Sequence, residues 1–254
     1  MSQSPRIRGP IARALVLLTA GGALFAVIPS PASAQILKRL DFDTGSFTQW
    51  SSVQEAAPGR VAIVQSPVRQ GQFASRFIVK PGDYPAPGGE RAEVFWSSKE
   101  NAGETSWWRW STYFPTAFHP NLGGWNIFTQ WHHTGPNCTS PVHFQVRHFR
   151  HRSRLELQVW GGRLSSSCEP QYKRLWTLGR LHRNRWYNFV VKFRWSARKA
   201  QGRVLVLVNG KVKVRAHAAT LYKGQGVYVK QGFYRGPSSR TTTIYHDGMQ
   251  RFRP

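Results

Sequence analysis

The chain has 254 residues and a formal net charge of +25 at pH 7, from 36 Lys and Arg against 11 Asp and Glu. This length suits one large β domain or two small ones, and the charge suits a polyanionic partner such as acidic polysaccharide, nucleic acid or anionic lipid. The few, scattered acids argue against glycoside hydrolysis, which needs two carboxyl groups beside the scissile bond. The sequence also lacks a Gly-x-Ser-x-Gly elbow, a phosphate-binding loop and a His-Glu-x-x-His zinc helix.

Residues 1–34 have the pattern of a signal peptide. A start with three arginines precedes an uncharged apolar run over residues 14–28, and a small-x-small cleavage site ends at Ala34. We expect cleavage near Ala34, which leaves a single mature domain of residues 35–254 that is secreted or periplasmic. No second apolar stretch is long enough to cross a bilayer, so no membrane span is expected in the mature protein.

The mature sequence predicts strands almost throughout. An aromatic-rich segment, residues 107–114, ends at Pro115, and apolar residues alternate with polar ones over residues 142–148, 155–159 and 188–195. Residues 204–208 and 211–214 flank Asn209-Gly210, a dipeptide typical of a two-residue hairpin turn. No segment of a dozen residues shows convincing helical periodicity. The pattern predicts an all-β fold, a two-sheet sandwich or β-jelly roll with a concave groove.

The two cysteines, Cys138 and Cys168, both fall in turn-rich segments. An exported protein meets an oxidising compartment, so we expect a Cys138–Cys168 disulfide that ties two loops together. Two cysteines alone are weak grounds for a metal site.

A stretch near the C-terminus, residues 228–234, gathers polar groups on one strand face. Alternation puts Tyr228, Lys230 and Tyr234 on that face, with Gly232 leaving a gap, while the apolar residues between them point the other way. A glycine gap of this kind marks the close approach of a ligand or of another backbone. The alternative is an ordinary solvated face, because surface tyrosines and lysines are common.

A second polar pair, Gln130 and His132, also falls on one strand face. Strict alternation places Phe128 on the same face and Ile127 on the opposite one. An exposed Gln and His on a strand commonly have no special role. This pair therefore gains meaning only in combination with the other stretches.

A third pair, Arg91 and Glu93, shares a face two residues apart, where the carboxylate can orient the guanidinium. The alternative is a surface ion pair worth roughly 0–1 kcal/mol. By contrast, Glu90 and Glu93 are three residues apart, so a strand sends these two acids to opposite faces.

The combined set of Arg, Gln, His, Tyr and Lys suits β-elimination from a uronic-acid polymer. That reaction removes the proton on C5, next to a carboxylate, and expels the sugar oxygen on C4. The carboxylate must be neutralised to stabilise the carbanion-like transition state, which Arg and Gln donors can do. A base then takes the C5 proton and an acid protonates the leaving oxygen, roles that His and Tyr can fill.

The three stretches also resemble the three ordered motifs of the jelly-roll alginate lyases. The matching segments are Arg91-Ala92-Glu93-Val94, Gln130-Trp131-His132 and Tyr228-Val229-Lys230-Gln231-Gly232-Phe233-Tyr234. The sequence around them is more similar to polysaccharide lyases of the heparin lyase I and glucuronan lyase type, from about Asp41 to Phe252. Ala92, Phe95 and Gly236 depart from the alginate lyase motifs, which weakens alginate as the specific substrate.

The resemblance implies a role for each matching residue. It implies that Arg91 and Gln130 neutralise the substrate carboxylate, that His132 assists or acts as base, and that Tyr234 protonates the leaving oxygen. When the C5 proton and the C4 oxygen lie on the same side, Tyr234 alone could serve as base and acid. Lys230 would hold the acid group of a neighbouring sugar, and the other expected substrate-binding residues are Tyr228, Glu93 and Arg147.

The resemblance further suggests a structural calcium near Asp41, Asp43 and Asp247, although Asp residues in loops are more often caps and turns. No cofactor is required by the expected reaction. Two alternatives remain open at this stage: a sugar-binding module without catalysis, and a basic protein that binds nucleic acid by charge alone. Export argues against a specific nucleic-acid partner, so an anionic polysaccharide is the expected one.

Overall fold

A computed structural model describes residues 34–122, 124–136, 138–149 and 151–254. The expected signal peptide, residues 1–34, lies outside these ranges except for Ala34 itself. None of the described segments forms a helix that is long and apolar enough to span a bilayer.

The described residues form fifteen strands and no helix. In chain order the strands are β1 (Gln35–Leu40), β2 (Ser52–Gln54), β3 (Val61–Val64), β4 (Ala74–Val79), β5 (Glu90–Glu100), β6 (Thr105–Phe114), β7 (Asn126–His133), β8 (Val142–Phe149), β9 (Arg152–Leu164), β10 (Pro170–Arg180), β11 (Arg185–Arg194), β12 (Arg203–Val208), β13 (Lys211–His217), β14 (Val227–Arg235) and β15 (Thr242–Arg253).

These strands build two antiparallel sheets packed face to face. The eight-stranded sheet has the order β13-β12-β11-β6-β15-β4-β3, with β1 also paired to β15. The seven-stranded sheet has the order β10-β9-β8-β7-β14-β5-β2. Consecutive strands pair towards the edges of both sheets, whereas the central pairs, such as β6 with β15 and β7 with β14, join strands distant in sequence, as Greek-key connections require. The predicted all-β jelly roll is confirmed.

The core lies between the two sheets and follows the alternation seen in the sequence. The apolar positions of β8, β9 and β11 are all buried there, as predicted. Four tryptophans, Trp108, Trp110, Trp131 and Trp195, pack at its centre with ring centroids 5.8–6.3 Å apart in the contacts they make with one another. The predicted hairpin is also present: Asn209 and Gly210 have φ values of 50° and 75°, which suit a type I′ turn between β12 and β13.

Strand β7 departs from the predicted alternation at a β-bulge. The pairing register with β8 shifts between Ile127 and Thr129. As a result Phe128 packs in the core against Phe144, while Ile127 faces outward beside Gln130. The prediction that Phe128 shares the outer face with Gln130 is wrong, because a bulge puts two consecutive residues opposite one on the partner strand.

Gly232 on β14 makes room for the neighbouring strand. Its φ is 147°, and a Cβ atom added there would lie 2.2 Å from the carbonyl oxygen of Ala92 on β5. The glycine gap therefore accommodates another backbone, one of the two possibilities that the sequence left open.

The predicted disulfide between Cys138 and Cys168 is present, with Cα atoms 5.4 Å apart. It ties the loop after β7 to the turn between β9 and β10. Both cysteines lie at the rim of the groove described next.

Candidate active site

The outward face of the seven-stranded sheet carries a groove of about 490 Å³. Its walls come from β5, β7, β8, β9 and β14 and from the loop that holds Cys138. The lining residues are Gly88, Arg91, Trp125, Ile127, Gln130, His132, Cys138, Thr139, Ser140, His143, Gln145, Gln158, Trp160, Cys168 and Tyr234. A second cavity of about 390 Å³ shares Trp125, Gln145 and Gln158 with the first, so the two are continuous.

Arg91 and Tyr234 form one end of the groove. They are direct partners on β5 and β14, and the Arg91 guanidinium lies 4.0 Å from the centroid of the Tyr234 ring. Arg91 Nη2 donates to the carbonyl of Pro87 at 2.7 Å, and Tyr234 Oη donates to the carbonyl of Gly88 at 2.8 Å. Burial raises the pKa of Tyr234, and the nearby Arg91 charge only partly opposes this. The phenol is therefore protonated at neutral pH.

Glu93 lies beneath this end of the groove and joins three side chains. Its carboxylate is 2.6 Å from Lys230 Nζ and 3.6 Å from Arg91 Nη1, and it accepts a hydrogen bond of 2.6 Å from Gln130 Nε2. Burial alone would raise the pKa of Glu93, but the charges of Lys230 and Arg91 outweigh burial and hold it below its ordinary value. Glu93 is thus an ionised anchor.

Lys230 does not reach the groove. Its side chain is only 3% exposed and its ammonium is paired with Glu93, which is itself 2% exposed. The structure thus places both Lys230 and Glu93 beneath the groove and outside its lining, although both were expected to bind substrate. The lysine instead compensates a buried carboxylate, which would be costly to leave unpaired.

Gln130 is oriented from two sides. Its Nε2 donates to Glu93, and its Oε1 accepts a hydrogen bond from the hydroxyl of Ser140. An amide nitrogen carries two hydrogens, so one N–H of Gln130 remains for a group in the groove. Ser140 lies two residues after Cys138, on the loop held by the disulfide.

His132 presents a neutral imidazole to the groove. Its Nδ1 lies 2.9 Å from the carbonyl oxygen of His133, and because a carbonyl only accepts, Nδ1 carries the proton. Nε2 then has a free lone pair. Burial lowers the pKa of His132 to about 4, which keeps the ring uncharged at neutral pH. The ring also stacks against His133 and contacts Tyr228, with centroids 4.8 Å and 5.4 Å away.

A family model described as polysaccharide lyase matches residues 42–250. The chain belongs to the polysaccharide lyase family. The match includes every strand except β1, apart from the last residues of β15, and every residue of the groove. This lyase is therefore an enzyme of the expected class, and the suspected family is confirmed.

Solved structures with this fold include several polysaccharide lyases. An endo-β-1,4-glucuronan lyase from the fungus Trichoderma reesei has a TM-score of 0.68 and 16% identity, over 82% of this chain and 92% of that one. The alginate lyase Aly36B has a TM-score of 0.56 and 12% identity, over 88% and 93%. Alginate lyase vAL-1 from a Chlorella virus has a TM-score of 0.51 and 13% identity, over 86% and 100%. None of the curated proteins compared with the chain matches it.

The other two residues expected to bind substrate, Tyr228 and Arg147, both lie outside the lining of the main groove. Tyr228 packs between Phe95 and His132, lies outside the lining of both cavities, and supports the His132 ring from behind. Burial raises the pKa of the Tyr228 phenol. Arg147 is exposed and lines the second cavity, where it can meet an anionic ligand.

The sequence did not single out several residues of the groove floor. His143, Gln145, Gln158 and Trp160 come from the outward positions of β8 and β9. His143 Nδ1 lies 3.1 Å from the carbonyl of Ser140, and burial lowers its pKa to about 4. The alternation of β8 did place His143 and Gln145 on the polar face with Arg147, and that was the signal that could have found them.

The suggested calcium ligands are used in other ways. Asp41 accepts hydrogen bonds from Gln49 and Gln250, and Asp247 Oδ2 accepts from the backbone N–H groups of Arg69 and Gln70. Among the described residues, no group of three or more His, Cys, Asp or Glu side chains is arranged to hold a metal ion. Asp247 Oδ1 is buried and has no hydrogen-bond partner among the described residues. No step of the reaction is assigned to a metal.

Proposed function

We propose that this lyase cleaves a uronic-acid-containing polysaccharide by β-elimination. One observation carries the proposal: Arg91, Gln130, His132 and Tyr234, from three strands, line one groove. A module that only binds sugar has no need for a base and an acid at one place. The glucuronan and alginate lyases of similar fold act on polyuronates, which supports this class of substrate.

Carboxylate neutralisation falls to Arg91 and Gln130. The guanidinium is fixed by Pro87 and Glu93, and the amide is fixed by Glu93 and Ser140, so neither has to reorganise when charge develops. Fixed donors that point at a developing negative charge are the strongest single contribution to many such reactions. The carboxylate beside C5 would then accept charge as the proton leaves.

Proton transfer is assigned to His132 and Tyr234. His132 Nε2 takes the C5 proton, the C–H electron pair forms the C4–C5 double bond, and the C4–O bond breaks as Tyr234 protonates the leaving oxygen. Both groups hold the needed protonation state at neutral pH, because the pKa of His132 is about 4 and that of Tyr234 is raised. This favours a substrate whose C5 proton and C4 oxygen lie on opposite sides of the ring. Tyr234 as sole base would first have to lose a proton that burial holds in place.

The test is the Tyr234→Phe variant assayed for unsaturated, ultraviolet-absorbing ends on glucuronan, alginate, heparin, heparan sulfate and pectate. Loss of a general acid lowers rates by about 10² to 10⁴, so we expect product release to fall at least a hundredfold. The matched control is Tyr228→Phe, which removes a phenol outside the groove lining and should keep most of the activity. Near-normal cleavage by Tyr234→Phe would remove this residue from the mechanism.

We also propose that the mature enzyme acts outside the cytoplasm, as the pattern of residues 1–34 indicates. Mass measurement of the N-terminus of protein purified from its native compartment tests this. Retention of the arginine-bearing segment would contradict it.

A further inference from the structure

The surface of this lyase is cationic because most of its acids are inside. Seven of the 11 Asp and Glu residues are buried, whereas the Lys and Arg residues are mostly exposed. Exposed cations lie on both sheets, and one group of them lies on β11, β12 and β13 of the eight-stranded sheet, the layer opposite the groove.

Four cations form a compact cluster on strands β11, β12 and β13. Arg194 lies directly opposite Arg203 in the β11–β12 pairing, and Lys192 and Arg215 lie on either side of Leu205 in the next outward row. We call Lys192, Arg194, Arg203 and Arg215 the cationic corner. None of the four makes a salt bridge with any described residue.

The register holds two like charges, Arg194 and Arg203, directly opposite each other on neighbouring strands, a relation that destabilises a sheet. Arg203 Nη1 donates to the carbonyl oxygens of Ala200 and Gly202, but no described carboxylate pairs with either arginine. Glu104 directly precedes Thr105, the β6 partner of Arg194, but its carboxylate lies 4.0 Å from Arg251. An anionic group placed between the two arginines would remove the repulsion and form charge-assisted hydrogen bonds.

An aromatic platform adjoins the cationic corner. Trp107 lies directly opposite Lys192, whose Nζ is 5.1 Å from the centroid of the tryptophan ring. Phe252 continues the row, with its ring 5.8 Å from Trp107, and Arg109 lies 5.5 Å from Phe252. A sugar ring offers an apolar face of C–H groups to an aromatic side chain while its carboxylate points sideways. Cations beside flat rings therefore suit an acidic sugar chain.

We propose that the cationic corner and Trp107 form a second binding site for acidic polysaccharide. The ligand class rests on the proposed function, since the same polymer is the substrate of the groove. The two sites lie on opposite layers, so a short oligosaccharide occupies one of them at a time, while a long polymer can occupy both. The second site then keeps the enzyme on the polymer between cleavage events.

The test is the double variant Arg194→Gln/Arg203→Gln, made in the Tyr234→Phe background so that the polymer stays intact. Affinity electrophoresis in gels that contain alginate or glucuronan measures binding at low salt. We expect about tenfold weaker binding than in the parent, and a thermal melt checks that the variant is folded at the assay temperature. The matched control, Lys80→Gln/Lys99→Gln, changes the net charge equally at two exposed lysines outside both sites.

The outcomes separate this proposal from the proposed function. The binding measurement does not depend on cleavage. A wild-type protein without cleavage activity would therefore contradict the lyase mechanism but would not affect this test. Equal affinity in the variant and its parent, or equal loss in the lysine control, overturns the second site. Double-stranded DNA is a third probe. If DNA binds as tightly as the acidic polysaccharides, and if this binding depends equally on Arg194 and Arg203, the cationic corner is a general polyanion surface and not a polysaccharide site.

Discussion

At the scale of single residues, the site depends on Glu93 more than on any group that touches the groove. This one carboxylate contacts Arg91, Gln130 and Lys230, and thereby orients two of the proposed donors. Burial raises the pKa of this carboxyl, but the charges of Lys230 and Arg91 outweigh burial and hold the pKa below its ordinary value. We therefore propose that Glu93 acts as a positioning residue for Arg91 and Gln130.

Glu93→Gln tests this role. The amide keeps the shape but leaves Lys230 buried without its closest counter-charge, and breaking a buried ion pair from one side costs about 3–5 kcal/mol. We expect the free energy of unfolding in urea to fall by that order and cleavage to fall with it. Glu104→Gln, at an exposed acid, is the control and should be near neutral. Adding Lys230→Met to Glu93→Gln should recover part of the lost free energy of unfolding. A double variant that is no more stable than Glu93→Gln alone would contradict the proposed role of the Glu93–Lys230 ion pair.

At the scale of strands, alternation predicted most of the fold. The apolar positions of β8, β9 and β11, and the hairpin at Asn209-Gly210, follow from local rules of side-chain direction and turn geometry. The exceptions lie at bulges. The register of β7 shifts after Ile127 and that of β14 shifts between Gln231 and Tyr234. A bulge depends on how two strands pair, which the sequence of one strand does not contain.

How deeply a side chain is buried on an outward strand face does not follow from the alternation of residues. Arg91, Glu93 and Lys230 were correctly placed on outward faces, but a face does not tell which side chains reach the surface. Glu93 and Lys230 pair with each other at 2.6 Å and are almost fully buried, so they lie under the groove and not in its lining. Ser140 was missed for another reason: it reaches Gln130 from a loop, and no periodic pattern marks a loop residue.

The Cys138–Cys168 disulfide anchors the loop that carries Ser140, which in turn donates to Gln130. The double variant Cys138→Ser/Cys168→Ser opens a loop of 30 residues, and loss of such a crosslink costs roughly 3–4 kcal/mol. If the loop also orients Gln130, cleavage at a temperature where the variant is fully folded should still fall. Ser140→Ala is the companion variant and should lower kcat more than it raises KM. Full activity in both folded variants would mean that the loop is only a structural tie.

At the scale of the whole molecule, burial of ionisable groups sets how stability responds to acid. His132 and His143 line the groove with pKa values of about 4, and His246 lies in the core with a pKa of about 3. His246 Nδ1 lies 3.0 Å from Thr112 Oγ1 and its Nε2 lies 3.1 Å from the carbonyl of Gly232. A carbonyl only accepts, so Nε2 carries the proton and Nδ1 accepts from the threonine. Both nitrogens are satisfied only in the neutral ring.

The direction in which pH changes stability follows from the pKa of His246 in the folded and the unfolded chain. In the unfolded chain a histidine takes up a proton below a pKa of about 6.5, whereas folded His246 stays neutral down to about 3. The unfolded state therefore binds more protons between these values, and stability is full above pH 6.5 and is lost as the pH falls. Asp247, whose pKa burial raises to about 6, works in the opposite direction, since its carboxyl takes up a proton more readily in the folded state.

A single substitution separates His246 from the other groups. Each site of this kind contributes about 1.4 kcal/mol per pH unit to the slope of the unfolding free energy. His246→Gln should be less stable than the parent at pH 7, because a well-packed buried ring is lost. Between about pH 4 and 6, however, its unfolding free energy should fall less steeply with falling pH, and the difference in slope should correspond to close to one bound proton. Denaturant titrations at a series of pH values measure the slope, with the exposed His182→Gln as control. Parallel curves for His246→Gln and the parent would mean that the buried imidazole is not the group that acid charges on unfolding.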